Sequence, residues 1–209
     1  MNMLVNKEGV RVIKTLVILV LASYILTYLN KLFYIFTGIS GLFILFCIYF
    51  FRDPERNIQQ NDRRILSPAD GTVFDIRPQD GMILVKIFMS VFNVHVQRSP
   101  ITGVIETVVY KKGEFLPADK SDADKRNEQN TISIKNKDSR SYVIVKQIAG
   151  ILARRIVFWG REGESIVQGQ RIGMIKFGSQ VDLCISDRAD LKIKTGQKVY
   201  AGKTIIAEI

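Results

Sequence analysis

The chain has 209 residues and a net charge of +10, enough for one ordinary domain and a little more. Its two cysteines, Cys47 and Cys184, cannot form a multi-bridge framework, which argues against a disulfide-stapled secreted fold and for a reducing compartment. The single histidine, His95, excludes a metal site built on histidine clusters, and no helix-turn-helix, zinc-finger or aromatic-basic sheet pattern points to nucleic acid.

Two apolar runs come first, VIKTLVILVLASYILTYL (12–29) and LFYIFTGISGLFILFCIYFF (32–51), separated by Asn30 and Lys31. The second is long enough to span a bilayer and the first is marginal. The combined stretch is too long for a signal peptide and lacks a small-residue cleavage site before Arg52. A helical hairpin over 1–51 is predicted. Lys7, Arg11 and Lys14 stand at its N-terminal end, and Arg52, Arg56, Arg63 and Arg64 follow it. By the positive-inside rule this favours a hairpin with both ends on the cytoplasmic side of a cell membrane, and the short first run leaves a shallow or re-entrant hairpin as the alternative.

The polar stretch FRDPERNIQQNDRR (51–64), interrupted by Pro54, gives a linker over 52–64. From Ile65 to Ile209 short apolar runs alternate with glycine and polar turns: GMILVKIFMSVFNVHVQ (81–97), GVIETVVY (103–110), TISIK (131–135), SYVIVKQIAG (141–150) and RRIVFWG (154–160). Their lengths and β-branched content predict strands. ADKSDADKRNE (118–128) is too polar for a core helix and reads as a loop. The stretch 167–173 (VQGQRIG) resembles 194–200 (KTGQKVY), with Gly-Gln after a strand in each. The fold class is therefore mostly β within α+β: a β-sandwich-like catalytic domain with two lipoyl-like hairpins, behind an apolar helical hairpin.

Three stretches hold the candidate chemistry: SPADGTV (67–73), NVHV (93–96) and KFGSQVD (176–182). Each has an ordinary structural explanation. Asp70-Gly71 is a common turn pair, a histidine between valines is commonly a satisfied core residue, and Gly178-Ser179 suits a strand corner. Taken together, Asp70, His95 and Ser179 could form a relay in which the imidazole takes the serine proton and the aspartate orients it. The G-x-S-x-G elbow of a serine hydrolase is missing. A glycine directly before the serine suggests that the serine attacks its own preceding peptide bond. A lipoyl-like carrier would need an exposed Met-Lys turn, and Met174 is followed by Ile175.

Several long stretches in order, FRDPER (51–56), SPADGTV (67–73), NVHVQRSPITG (93–103), QIAGILARRIVFW (147–159) and RIGMIKFGSQVDL (171–183), closely resemble phosphatidylserine decarboxylase in its short form. The resemblance implies a proenzyme that cleaves itself between Gly178 and Ser179. The products would be a β chain, 1–178, and an α chain, 179–209, with Ser179 converted to a covalent pyruvoyl cofactor. Asp70, His95 and Ser179 match the family's self-cleavage triad. The pyruvoyl ketone would form a Schiff base with the substrate amine and accept the electrons released with CO2. His95, or a water molecule, would return the proton; long-form relatives carry a histidine at the position of Phe92 here. Arg98, Arg154, Arg155, Lys176 and Phe177 lie in or beside the matching stretches and are candidates for holding the substrate. The implied partner is phosphatidylserine in an anionic membrane, and no metal is implied. Asn127-Glu128 looks family-like without a legible role, and Gly150 and Phe177 are candidates for lining the site. The site is expected to open towards the membrane, and a homodimer is neither required nor excluded.

Overall fold

The structure is a computed structural model. It describes residues 5–116, 123–136, 142–150, 155–176 and 179–209, with backbone alone for 123, 124 and 179. The chain divides into two compact units, Met1–Glu55 and Arg56–Ile209.

The first unit is a helical hairpin of α1 (Lys7–Leu26) and α2 (Phe33–Phe50). Asn6 caps α1 by accepting the Gly9 N–H at 2.9 Å. Asn30 Oδ1 accepts the Leu32 N–H between the helices. The hairpin closes at its base where Asn6 N–H donates to Phe51 O and Val5 bridges Arg52. Gly9 permits this approach: a Cβ there would lie 2.3 Å from Phe51 Cβ. Midway, the Ser23 and Thr37 hydroxyls meet at 2.9 Å, a polar contact of the kind that joins helices across apolar faces. Both helices are long and apolar enough to cross a membrane.

The second unit is almost entirely β. An eight-stranded antiparallel sheet runs β13-β2-β3-β11-β7-β6-β5-β9, built from β2 (Gly71–Gln79), β3 (Met82–Met89), β5 (Gly103–Lys111), β6 (Gln129–Lys135), β7 (Tyr142–Ala149), β9 (Ser165–Ile166), β11 (Ser179–Ser186) and β13 (Lys198–Val199). Two three-stranded sheets accompany it. One is β1 (Arg64–Leu66), β14 (Ile205–Glu208) and β12 (Asp190–Leu191); the other is β4 (Val96–Arg98), β10 (Arg171–Lys176) and β8 (Arg155–Phe158). Val73, Val85, Ile87, Ile132, Ile134, Val145, Val181, Leu183 and Ile185 are wholly buried and fill one core. Alternate residues of each strand share a face, so one face supplies that core.

These sheets repeat internally. The order β13-β2-β3-β11 mirrors β9-β5-β6-β7, and β1-β14-β12 mirrors β4-β10-β8. Ser67-Pro68 and Ser99-Pro100 are equivalent: each serine hydroxyl donates to the carbonyl two residues on, at 2.7 Å. The pair is also reciprocal, with Leu66 N–H to Pro100 O and Arg98 N–H to Pro68 O. Gly71 and Gly103 each lie against a neighbouring strand, where a Cβ would meet a backbone oxygen at 2.2 Å. Both β2 and β5 then bulge at the same distance from that glycine, between Val73 and Asp75 and between Ile105 and Thr107.

The glycine turns expected as a repeat are present with a different pairing. Besides Gly81 between β2 and β3, the described glycines at positive φ are Gly163, Gly169, Gly196 and Gly202. Gly163 N–H donates to Ile105 O and Gly196 N–H to Val73 O, while Gly169 and Gly202 donate to Ser99 O and Ser67 O. The equivalences are thus Gly163 with Gly196 and Gly169 with Gly202. The Gly-Gln match of 167–173 to 194–200 joined the second turn of one repeat to the first of the other. Two further expectations change. The run 81–97 breaks after Met89, because Asn93 Oδ1 takes both the N–H and the hydroxyl of Ser90 and turns the chain. The stretch 118–128 contains one helical turn, α3 (Ala123–Arg126).

The second repeat, β4 to β10, is continuous; the first is split into β1–β3 and β11–β14. The chain therefore passes between repeats twice, once between Met89 and Val96 and once between the end of β10 at Lys176 and the start of β11 at Ser179.

Candidate active site at the two crossovers

Both crossovers carry residues singled out by the sequence. His95 ends the first, and Ser179 opens the strand that follows the second. Pairing sets His95 against the strand that leads into Ser179. Val96 lies opposite Met174 in adjacent strands, and Ile175 N–H points to His95 O at 3.4 Å. Four residues further along, Ser179 opens β11 between Met89 of β3 and Ala149 of β7.

His95 is fully buried. Its Nδ1 lies 2.9 Å from Asn93 O. A carbonyl oxygen only accepts, so Nδ1 is the donor and the neutral ring carries its lone pair on Nε2. The backbone of Asn93 thus supplies the orientation that the relay assigned to Asp70.

Asp70 is engaged elsewhere. Its two carboxylate oxygens accept from Arg56 Nη1 at 2.7 Å and Nη2 at 2.8 Å, and Oδ1 also takes the Ala201 N–H at 2.8 Å. Both side chains are buried, and Arg56 also donates to Ala201 O. Among the described residues His95 is not a hydrogen-bond partner of Asp70. The other repeat explains the Ala201 contact. Thr102 Oγ1 accepts the Gln168 N–H as Asp70 accepts that of Ala201, so the corner itself needs only an acceptor. The charge at Asp70 is what Arg56 requires.

Among the expected substrate-holding residues, Arg155 and Lys176 are direct partners across β8 and β10, at the strand end leading to position 179. Directly opposed side chains share a face, so two positive charges are focused there. Arg98 lies at the opposite end of β4. It is buried and donates to Gly169 O at 3.1 Å, beside Gly202. Arg154, Phe177 and Gly178 lie outside the described residues.

Asn127, whose role was illegible, binds three backbone groups. Its amide donates to Ala149 O at 2.7 Å and Leu116 O at 2.9 Å, and its oxygen accepts the Leu116 N–H. Ala149 N–H in turn donates to Glu128 O. This fastens the segment after β5 to the residue beside Ser179. Sequence reasoning also missed Arg56; its place in FRDPER, five positions from the last apolar residue, was the only available signal.

Cys184 lies further along β11. Burial first, then the Asp182 carboxylate, pushes its thiol from 9.0 up to about 11, so it stays protonated near neutrality. Among the described residues no cluster of three or more His, Cys, Asp or Glu could hold a metal ion.

The sequence matches the family described as phosphatidylserine decarboxylase over residues 43–207. It is 46% identical over 166 residues to a "Phosphatidylserine decarboxylase proenzyme" of Solibacter usitatus, covering 79% of this chain and 80% of that protein. It is 48% identical over 172 residues to a "Putative archaetidylserine decarboxylase proenzyme" of Methanosarcina mazei, covering 82% and 78%. A "Phosphatidylserine decarboxylase proenzyme" of Carboxydothermus hydrogenoformans is 40% identical over 194 residues, covering 88% and 90%. With that match and these relatives, and with its mostly β unit, this chain belongs to the phosphatidylserine decarboxylase family and is a decarboxylase.

Proposed function

We propose that the chain is a self-processing, pyruvoyl-dependent enzyme that converts phosphatidylserine to phosphatidylethanolamine and CO2 at the cytoplasmic face of a membrane. The observation that carries this reading is the approach of the His95 crossover to the strand end that leads into Ser179.

In the first step Nε2 of His95 takes the Ser179 hydroxyl proton. The Ser179 oxygen adds to the Gly178 carbonyl, the carbon–nitrogen bond breaks, and the serine nitrogen leaves as an amine, so an ester replaces the amide. Loss of the Cα proton of residue 179 and of the ester oxygen then frees the Gly178 carboxylate and leaves dehydroalanine. Its imine tautomer takes up one water and releases ammonia, which leaves a pyruvoyl group. Glycine at 178 presents no Cβ to the incoming oxygen.

The residues present fit that group. Position 179 is held on both sides by Met89 and Ala149, and the α chain that begins there remains paired with β3 and β7 after the cut. Once formed, the pyruvoyl ketone would supply a carbonyl for the serine amine of the substrate and a sink for the electron pair released with CO2. This chain's own side chains do the rest. Arg155 and Lys176 hold the anionic head group. His95 exchanges the proton at the reacting carbon. Asp70 acts at a distance as a positioning residue, through Arg56 and the Ala201 corner.

The helical hairpin and its flanking cations support membrane attachment with both ends cytoplasmic. Only the serine head group takes part in the chemistry. The archaetidylserine in the name of the M. mazei relative would therefore use the same residues. The deciding experiment is the intact mass of the purified chain under denaturing conditions. Fragments of residues 1–178 and 179–209, the smaller lacking the serine amine, are expected. Ser179→Ala and His95→Ala are each expected to leave one uncleaved chain. Normal cleavage in either variant would overturn the assignment, and turnover of only one of the two lipids by the cleaved enzyme would fix the substrate.

A further inference from the structure

Three buried amides run through the core towards the site. Asn130 of β6 donates from Nδ2 to Gln147 Oε1 at 3.1 Å. Gln147 of β7 donates from Nε2 to Gln97 Oε1 at 2.9 Å. Gln97 of β4 donates from Nε2 to His95 O at 2.8 Å and lies 3.7 Å from Met89 Sδ. Gln97 and Gln147 are wholly buried and Asn130 is 3% exposed. The chain of donors therefore leads from the eight-stranded sheet to the backbone of His95. It also touches the side chain of Met89, the strand partner of Ser179.

The fold does not require an amide at that place. By the Ser67/Ser99 equivalence, Gln97 corresponds to Ile65, which is 1% exposed and belongs to the apolar core. The first repeat fills the position with hydrocarbon. The second, which delivers His95, fills it with a polar group that must be satisfied in a dry interior. Gly173 keeps the lane open: a Cβ there would lie 2.8 Å from Gln147 Nε2 and 2.4 Å from Val157 O. Each amide gives a proton to the next acceptor in one direction, and hydrogen bonds in such chains polarise one another in a low-dielectric core. β4 is only three residues long, so it fixes the His95 backbone weakly by itself.

We infer that Asn130, Gln147 and Gln97 are positioning residues that set the His95 backbone, and through it the imidazole, against the 178–179 junction for both self-cleavage and turnover. This rests on the function proposed above. A misplacement of about 1 Å at a reacting group can cost on the order of a hundredfold in rate.

The test follows cleavage over time by denaturing intact mass in the full-length chain, synthesised cell-free into lipid nanodiscs. Rates are counted per folded molecule by protease resistance. Gln147→Met keeps the length and removes both hydrogen bonds. It is expected to slow cleavage roughly tenfold or more. In molecules that have been cleaved it is expected to lower kcat while KM stays within twofold. Asn130→Asp, which cannot donate to Gln147, is expected to slow cleavage in the same direction by less, and it decides the question alone if Gln147→Met does not fold. Cleavage per folded chain within twofold of the parent, even with a lowered melting temperature, would mean that the amides only support the fold and would overturn the inference. Failure of the parent chain to cleave at 178–179 is a different result, because it removes the self-processing reading itself.

Discussion

Arg56 grips Asp70 with both guanidinium nitrogens, at 2.7 and 2.8 Å, and the pair is shielded from solvent. Asp70 in turn holds the Ala201 N–H. The aspartate therefore ties the segment following the hairpin to the corner before β14.

Asp70→Asn should unfold the second unit more readily. Breaking one partner of a buried pair leaves the other charge uncompensated, at a cost of about 3–5 kcal/mol. Arg56→Met with Asp70→Asn together should be less harmful than the sum of the two single changes, because the buried charge leaves with its partner. Chemical denaturation of the four chains measures this. At a temperature where Asp70→Asn is folded, its cleavage should be slowed and still detectable, whereas His95→Ala should show none. Equal loss of cleavage in both would return Asp70 to the reacting group.

The two fragments should not separate under native conditions. β11, the first strand of the α chain, lies between β3 and β7, paired with β3 from Ser179 to Ser186 and with β7 from Ser179 to Cys184. β14 also pairs with β1 of the β chain. In detergent the two should co-elute on size exclusion and part only in denaturant. Release of residues 179–209 at neutral pH without denaturant would contradict the central placement of β11.

Arg155→Ala and Lys176→Ala should act on substrate binding. Each removes one of two adjacent cations at the strand end that leads to position 179. Loss of a charge-assisted hydrogen bond of about 1.5–3 kcal/mol corresponds to a KM raised by roughly ten- to a hundredfold. Steady-state kinetics on cleaved enzyme tests this. A KM unchanged in both variants would place the head group elsewhere. Arg98→Ala should instead lower the melting temperature, since its guanidinium braces Gly169 from a buried position.

Cys184 gives the fold an alkaline dependence. Its thiol ionises near 9.0 when exposed and at about 11 in the fold, raised first by burial. Above 9.0 the unfolded chain gives up this proton while the folded chain keeps it. The group's contribution is complete below 9.0 and is lost as the pH rises towards 11. Cys184→Ala should flatten the fall in stability between those values, measured by denaturant melts, relative to the parent. An unchanged slope would mean that the thiol titrates alike in both states.

Much of this protein is legible in one dimension. Two apolar runs between clusters of cations specify a helical hairpin because length and hydropathy suffice. Alternating β-branched segments between glycine turns specify a mostly β unit because the period of side chains along a strand is two. The stretches around Asp70, His95 and Ser179 mark the chemistry, and the family resemblance identifies which bond is expected to be cut. The repeat of Gly-Gln turns is visible too, but its register is not. Four turns share one local geometry, and only the pairing of Gly163 with Ile105 and Gly196 with Val73 distinguishes them.

Tertiary structure decided the rest, because it depends on which strands become neighbours. The break after Met89 rests on a single asparagine side chain that turns the run into a crossover. The partners of Asp70 are Arg56 and Ala201, 14 and 131 residues away. The amide chain joins residues 17 and 50 positions apart in sequence. Sequence alone determined the composition of each strand and singled out His95 and Ser179 as candidates. The split repeat determined where each lies: one half of the fold is inserted in the other, so the chain must pass between the halves twice, with His95 leading into β4 and Ser179 opening β11.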